Sequence, residues 1–347
     1  MSDSAALGTG CIFAAAQQMG DVSIFSPASP QAGSIVTLSW LVFAVAAFIF
    51  VVVEGVLFYC VFRFRHRGEP TDTEPPQVYG SHPIEIAWTV APSMIVFFLV
   101  LVGARTLWEV NIAPAAPTTE SADESGVLDV TVVGRQWWWE YQYKRYDGRE
   151  LSIITANELH IPASDAETPR STRLALRSAD VCHSFWVPRL GGKMDVIPGR
   201  HNTLWLETDK PGLYLGQCAE YCGTQHAHML IRVVVDSPAD FERWLESQAK
   251  PAVEDAEVSQ GREAFLSESC VNCHRIRGTT AHGNYAPDLT HLMSRKTIAG
   301  AAVENNAENL EHWVHDPQDL KPGCLMPAFG LTDKKQQMIV RYLLTLE

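Results

Sequence analysis

Two stretches of this chain are almost wholly apolar, Ile35 to Phe62 and Ile84 to Trp108, while the remainder mixes polar and apolar residues in shorter runs. Each stretch is long enough to cross a hydrocarbon core of roughly 30 Å as a helix. The pattern predicts a transmembrane hairpin over residues 35–110, with Trp88 and Trp108 as interfacial anchors of its second span. Arg63-Phe64-Arg65-His66-Arg67 lies between the spans, and a basic cluster at a helix end marks the cytoplasmic side. Both termini then face outward. Glu54 interrupts the first span, where a carboxylate flags a surface turned toward protein. Glu85 opens the second, a position that also suits the positive end of a helix dipole.

Residues 1–34 lack periodicity and read as an N-terminal leader or tail, whose Cys11 stays unassigned. A linker rich in Pro, Ala, Ser and acids fills 111–126. Over 127–236 the runs VLDVTVVG, WWWEYQY, STRLALRS, HNTLWLE and MLIRVVVD recur between turn signals such as Asp147-Gly148, Pro198-Gly199 and Pro211-Gly212. They predict a β-sandwich or barrel. A second linker, 237–257, opens on FERWLESQ, which has the spacing of a short amphipathic helix. Helical spacing near 258–270, 307–315 and 332–346 makes 258–347 a small all-α domain. The expected fold is multi-domain: a two-helix transmembrane hairpin, an all-β domain and an all-α domain.

A net charge of −13 excludes a nucleic-acid binder, which needs a basic face, and fits a basic protein partner. The eight cysteines fall into C-x-x-x-C, C-x-x-C-H and four singles, a distribution of metal and cofactor chemistry more than of a disulfide lattice.

The segment Cys218-Ala-Glu-Tyr-Cys222-Gly-Thr-Gln-His226-Ala-His228-Met229, with His183 upstream in Asp180-Val-Cys-His-Ser-Phe-Trp, offers two thiolates, two imidazoles and a thioether. Soft sulfur ligands select copper, and one Cys, two His and a weak Met would make a single-copper site. The second Cys lets both thiolates bridge two copper ions, each completed by one His and one weak ligand, Met229 or the Glu220 carbonyl. A Cys218–Cys222 disulfide and a zinc site are the competing readings, and neither accounts for Met229. His228 reads as a neighbour of the ligands, and Cys182 as a small buried side chain.

Cys270-Val-Asn-Cys273-His274 is C-x-x-C-H, in which two thiols form thioethers to haem and the His becomes an iron ligand. A redox or zinc C-x-x-C is the competing reading. Met326, in Lys321-Pro-Gly-Cys-Leu-Met326-Pro327, lies far enough downstream to reach the opposite haem face, and Met/His ligation raises the reduction potential. With Pro287 in NYAPDLTH, this region resembles a class I cytochrome c.

DVCHSFWVP, LGGKMDVIPGR, PGLYLGQCAEYCGTQHAHM and GRQWWWEYQY resemble the signatures of cytochrome c oxidase subunit II, over residues 35–236. The resemblance implies a cupredoxin fold and a binuclear copper CuA centre on His183, Cys218, Glu220, Cys222, His226 and Met229. It further implies a magnesium ion on the Glu220 carboxylate, Trp137 as the aromatic through which electrons enter copper, and Glu85 at the entrance of a proton pathway. Core packing is the expected role for at least one of Trp137, Trp138 and Trp139. The implied partners are subunit I, with haem a and CuB, and subunit III, with cytochrome c or a quinol-oxidising complex as electron donor.

The expected function is acceptance of electrons at a covalently bound haem c, transfer to CuA and delivery to haem a of subunit I, for oxygen reduction to water coupled to proton pumping. Oxygen chemistry belongs to subunit I. The expected location is a bacterial inner membrane, in lipid, crossed twice with the copper and haem domains on the outer side. The alternatives are the CuA subunit of a nitric oxide reductase and a stand-alone membrane electron carrier.

Overall fold

The computed structural model describes residues 22–65, 77, 79–112, 126–253 and 255–347, so Cys11, His66, Arg67 and most of the first linker lie outside the described residues. The chain divides into two units, 33–112 and a second comprising the remainder.

Helices α1 (Pro30–Arg63) and α2 (His82–Asn111) supply the first unit, and both are long and apolar enough to cross a membrane. Helix α1 starts inside the expected 1–34 tail because Ser29 and Pro30 make a helix start: the Ser29 hydroxyl accepts the Ala32 N–H at 3.0 Å, and proline is preset for the first turn. Hydroxyls within these helices bond back one turn, Thr37 to the Gly33 carbonyl and Ser93 to that of Thr89, so these hydroxyls need no water. Glu85 turns its carboxylate onto the Ser81 N–H at 3.3 Å, the helix-start role.

In the second unit, ten strands form the β-domain. They are β1 (Val127–Arg135), β2 (Trp138–Tyr146), β3 (Arg149–Ala156), β4 (Glu158–Pro162), β5 (Ser171–Ser178), β6 (His183–Trp186), β7 (Met194–Val196), β8 (Asn202–Leu206), β9 (Gly212–Cys218) and β10 (Leu230–Asp236). They make two five-stranded sheets, ordered β3-β2-β1-β5-β8 and β4-β10-β9-β6-β7, parallel at β1/β5 and β4/β10. Alternating residues such as Leu128, Val130, Leu174, Ile231 and Val233 point into one shared core, which Trp139 fills as a fully buried ring.

Helix α3 (Pro238–Ala249) holds FERWLESQ and is part of this domain more than a spacer. Its apolar face buries Phe241 and Leu245 in the β core, and Trp244 stacks on His160 at 4.4 Å. An amphipathic stripe finds cover where a flexible linker would leave it wet.

The C-terminal domain packs α4 (Ser259–Ser267), α5 (Ala307–His315) and α6 (Asp333–Leu343) around Phe265, Leu310, Ile339 and Leu343. Phe265 meets Tyr342 at 6.0 Å where α4 and α6 contact one another. The Asn306 side chain starts α5 by accepting the Asn309 N–H.

Candidate copper and haem sites

Strand pairing gathers the sulfur and imidazole residues. β6 runs antiparallel to β9 with Phe185 opposite Cys218, so His183 at the start of β6 lies beside the end of β9. The Cys218 N–H donates to the Met229 carbonyl at 3.0 Å and closes the intervening loop on itself.

The result is a compact donor cluster. Cys218 Sγ and Cys222 Sγ are 3.8 Å apart, both free thiols. His183 Nδ1 lies 3.9 Å from the first sulfur, and His226 Nδ1 lies 3.6 Å from the second. Met229 Sδ stands 3.8 Å from Cys222 Sγ, and the Glu220 carbonyl oxygen 3.2 Å from Cys218 Sγ. All six predicted ligand residues are thus together, Glu220 by its main chain while its side chain is exposed. Two sulfurs flanked by one imidazole each, with a thioether and a carbonyl, form a donor set that fits a copper pair.

Electrostatics favour deprotonation of one sulfur of the two, that of Cys218. The neighbouring Cys222 thiol, with His183, pulls the Cys218 thiol far below its usual value against the opposing effect of burial. The same pairing and burial push Cys222 up, so the pair readily shares one proton that a metal would displace. Burial disfavours the His183 cation, but Asp180 and Cys218 outweigh it and raise its pKa. Asp180 accepts from His183 Nε2 at 2.8 Å and from the Gln136 N–H at 2.7 Å, which leaves Nδ1 turned to the sulfurs. Asp180 stands inside the DVCHSFWVP motif, but nothing in the motif marks it as the partner of His183. Cys182 is exposed, not buried as expected: it directly precedes β6, beside the inward His183, and successive residues of an extended chain point to opposite sides.

Trp137 joins this cluster to the next site. Its indole N–H donates to the Cys222 carbonyl at 3.0 Å, and the Gln136 amide donates to the same oxygen at 2.7 Å. Gly223 makes room for the ring: its φ is +118°, and a Cβ there would lie 2.9 Å from Trp137 Cζ2. His228 stays apart from the sulfurs, its Nδ1 2.7 Å from Gln225 Oε1.

A largely apolar cavity in the C-terminal domain is lined by Cys270, Cys273, His274 and Met326, and its wall is completed by Trp137 and Trp138. His274 Nδ1 donates to the Pro287 carbonyl at 2.8 Å, which fixes the ring and leaves Nε2 for a metal. Burial lowers the His274 pKa, so the imidazole stays neutral, the ligating form. Gln318 holds the methionine segment, donating to the Met326 carbonyl at 2.9 Å and to Cys324 Sγ at 3.3 Å. An apolar crevice with two thiols, an oriented imidazole and a thioether fits a c-type haem.

The two domains are tied directly. Glu158, 3% exposed on β4, accepts the Lys296 N–H at 3.0 Å and the Thr297 hydroxyl at 2.8 Å. Gln225 donates to the Pro322 carbonyl at 2.6 Å. No signal within either sequence segment announces such a pairing.

Comparisons with known proteins identify the family of the chain. Residues 16–104 match the family Cytochrome C oxidase subunit II, transmembrane domain; 128–237 match its periplasmic domain; and 258–347 match Cytochrome c. A cytochrome c oxidase subunit 2 of Alkalihalophilus pseudofirmus is 35% identical over 332 residues, covering 94% of this chain and 91% of that protein. One from Bacillus sp. (strain PS3) is 34% identical over 298 residues, with 82% and 80% covered. Among solved structures, the periplasmic domain of subunit II of the Bradyrhizobium japonicum cytochrome oxidase is similar at 30% identity and a TM-score of 0.32, covering 40% of this chain and 96% of that one. With the hairpin, the β-domain and the C-terminal domain each covered by one of these matches, the chain belongs to the cytochrome c oxidase subunit II family and carries a cytochrome c domain behind its β-domain.

Proposed function

We propose that this chain is the electron-accepting subunit of a haem-copper cytochrome c oxidase. Electrons enter at the cytochrome c domain, pass to the cupredoxin domain and leave toward haem a of subunit I, where oxygen is reduced to water with proton pumping. When bound, haem c and the CuA pair supply one-electron carriers whose potentials the surrounding ligands tune. Cys270 and Cys273 would hold the haem by thioethers, and His274 and Met326 would supply ligands to its iron. His183, Cys218, Cys222, His226, Met229 and the Glu220 carbonyl would hold the copper pair.

The observation that carries this reading is the position of Trp137. Its ring lines the cavity around His274 and Met326 and is only 8% exposed, while its indole N–H rests on the carbonyl of Cys222. One side chain therefore spans the two sites. That the cavity of the cytochrome domain includes Trp137 in its wall supports electron entry through that domain.

The remaining roles follow from the same assignment. The exposed Glu220 carboxylate would take magnesium at the subunit I boundary. Glu85 would stand at a proton-pathway entrance once subunit I covers the hairpin. Subunit III completes the complex, the donor is cytochrome c or a quinol-oxidising complex, and the location is a bacterial inner membrane with both redox domains outside.

The test is metal and haem analysis of the purified native complex coupled to oxygen uptake with reduced cytochrome c. Copper at the thiol cluster, haem c on this chain and oxygen consumption are expected. Zinc in place of copper, or a complex that consumes no oxygen, would refute the reading. The second outcome would favour a nitric oxide reductase subunit or a stand-alone carrier.

A further inference from the structure

Lys321 is 3% exposed and belongs to neither ligand set. Its Nζ donates to three main-chain carbonyls: Trp137 at 2.7 Å, Ala299 at 2.9 Å and His228 at 3.1 Å. In its ammonium form this nitrogen has three protons, one for each acceptor.

The three acceptors lie on different segments. Trp137 precedes β2 and binds the Cys222 carbonyl through its indole; His228 directly precedes Met229; Ala299 belongs to the cytochrome domain. Lys321 itself opens the Lys321-Pro-Gly-Cys-Leu-Met326 segment. Four strands of main chain, bearing members of both proposed ligand sets, therefore converge on one nitrogen.

The cradle is shaped for that nitrogen. Gly300 has φ +74°, and a Cβ there would come within 2.4 Å of Lys321 Nζ and 2.7 Å of the Trp137 oxygen. The Gly300 carbonyl meanwhile accepts the Leu230 N–H at 3.3 Å, a second bond between the domains at the same place. Simple adhesion does not explain the residue. A buried ammonium loses its hydration, and an apolar side chain would adhere without that loss. Three donors aimed at three main-chain segments are what lysine adds.

We propose that Lys321 is a positioning residue for electron transfer between the domains, fixing the methionine-bearing segment and the copper loop against the Trp137 main chain. The assignment rests on the relay reading above. In the step concerned, one electron leaves the reduced haem domain and reduces the oxidised copper domain, with no proton or bond exchanged.

The experiment compares the full complex with its Lys321→Met and Lys321→Gln variants in three measurements. These are the rate of haem-to-copper transfer after photoreduction of the haem, the two midpoint potentials, and amide hydrogen exchange of Leu230 and residues 297–302 in the same complexes. Lys321→Met is expected to slow transfer by about tenfold or more, since small displacements of positioned groups cost orders of magnitude in rate. Both potentials should stay unchanged, amide exchange should accelerate, and Lys321→Gln, which keeps part of the donor set, should fall between. Wild-type transfer rates in Lys321→Met, or slower transfer accompanied by a shifted potential, would overturn the assignment alone. Absence of any haem-to-copper transfer in the wild type would refute the relay, and the Lys321 role with it. If the methionine variant fails to fold, the glutamine variant carries the same rate and exchange criteria.

Discussion

Trp137 and Cys222 are joined by a 3.0 Å hydrogen bond from the indole N–H to the cysteine carbonyl, although they stand 85 positions apart. The bond couples the wall of one cavity to the main chain of a thiol in the other site. Replacing Trp137 with Phe keeps an aromatic wall and removes the donor. Transfer from the cytochrome domain to copper should slow while the copper content stays full, measured by photoreduction kinetics and metal analysis. Unchanged kinetics would show that the ring, and not the hydrogen bond, matters.

Cys222→Ser removes one of the two sulfurs 3.8 Å apart. The near-infrared copper band should vanish while the haem c spectrum remains, because the two ligand sets belong to separate domains. Persistence of the band in the purified variant would overturn the two-thiolate assignment.

Met326→Ala withdraws the thioether from the cavity that His274 also lines. The haem midpoint potential should fall, since Met/His ligation holds it high, and transfer to copper should slow with it. Potentiometry checks this, and an unaltered potential would point to a different ligand on that face.

Asp180→Asn weakens the partner of His183 Nε2, now 2.8 Å from a carboxylate. Loss of such an orienting group typically lowers metal affinity by about 10- to 100-fold. Copper should leave the variant at correspondingly lower chelator concentration in a competition titration, with the fold intact by circular dichroism.

Glu158→Leu leaves the Lys296 N–H and the Thr297 hydroxyl without their acceptor at a buried junction. Each unsatisfied buried group costs about 1–3 kcal/mol. The cytochrome domain should melt at lower temperature in calorimetry while the copper spectrum is unaffected at room temperature.

How far the sequence could be read differs from element to element. VLDVTVVG and MLIRVVVD announce β1 and β10 as β-rich runs between turn signals, but Arg149–Ala156 and Glu158–Pro162 carry no such signal; each is recognised by its pairing partner more than by its own pattern. FERWLESQ showed its helical spacing, yet whether its apolar face met solvent, lipid or a β core was not written in the segment. Cys182 is expected inside because small thiols usually are, and its place directly before the inward His183 turns it outward.

By itself the sequence determined the two apolar spans, the residue types of the Cys218-to-Met229 loop and the Cys270-Cys273-His274 attachment pattern. Membrane insertion, chelation by one loop and thioether attachment all act over a short stretch of chain, so their signals are local. Only the tertiary structure decided that Trp137 would close the cavity of the other domain and that Lys321 and Glu158 would meet carbonyls, an amide and a hydroxyl up to 184 positions away. Those contacts depend on how two packed domains abut. A buried polar side chain becomes a tie only when folding brings partners to its donors and acceptors, and no local pattern records which partners those will be.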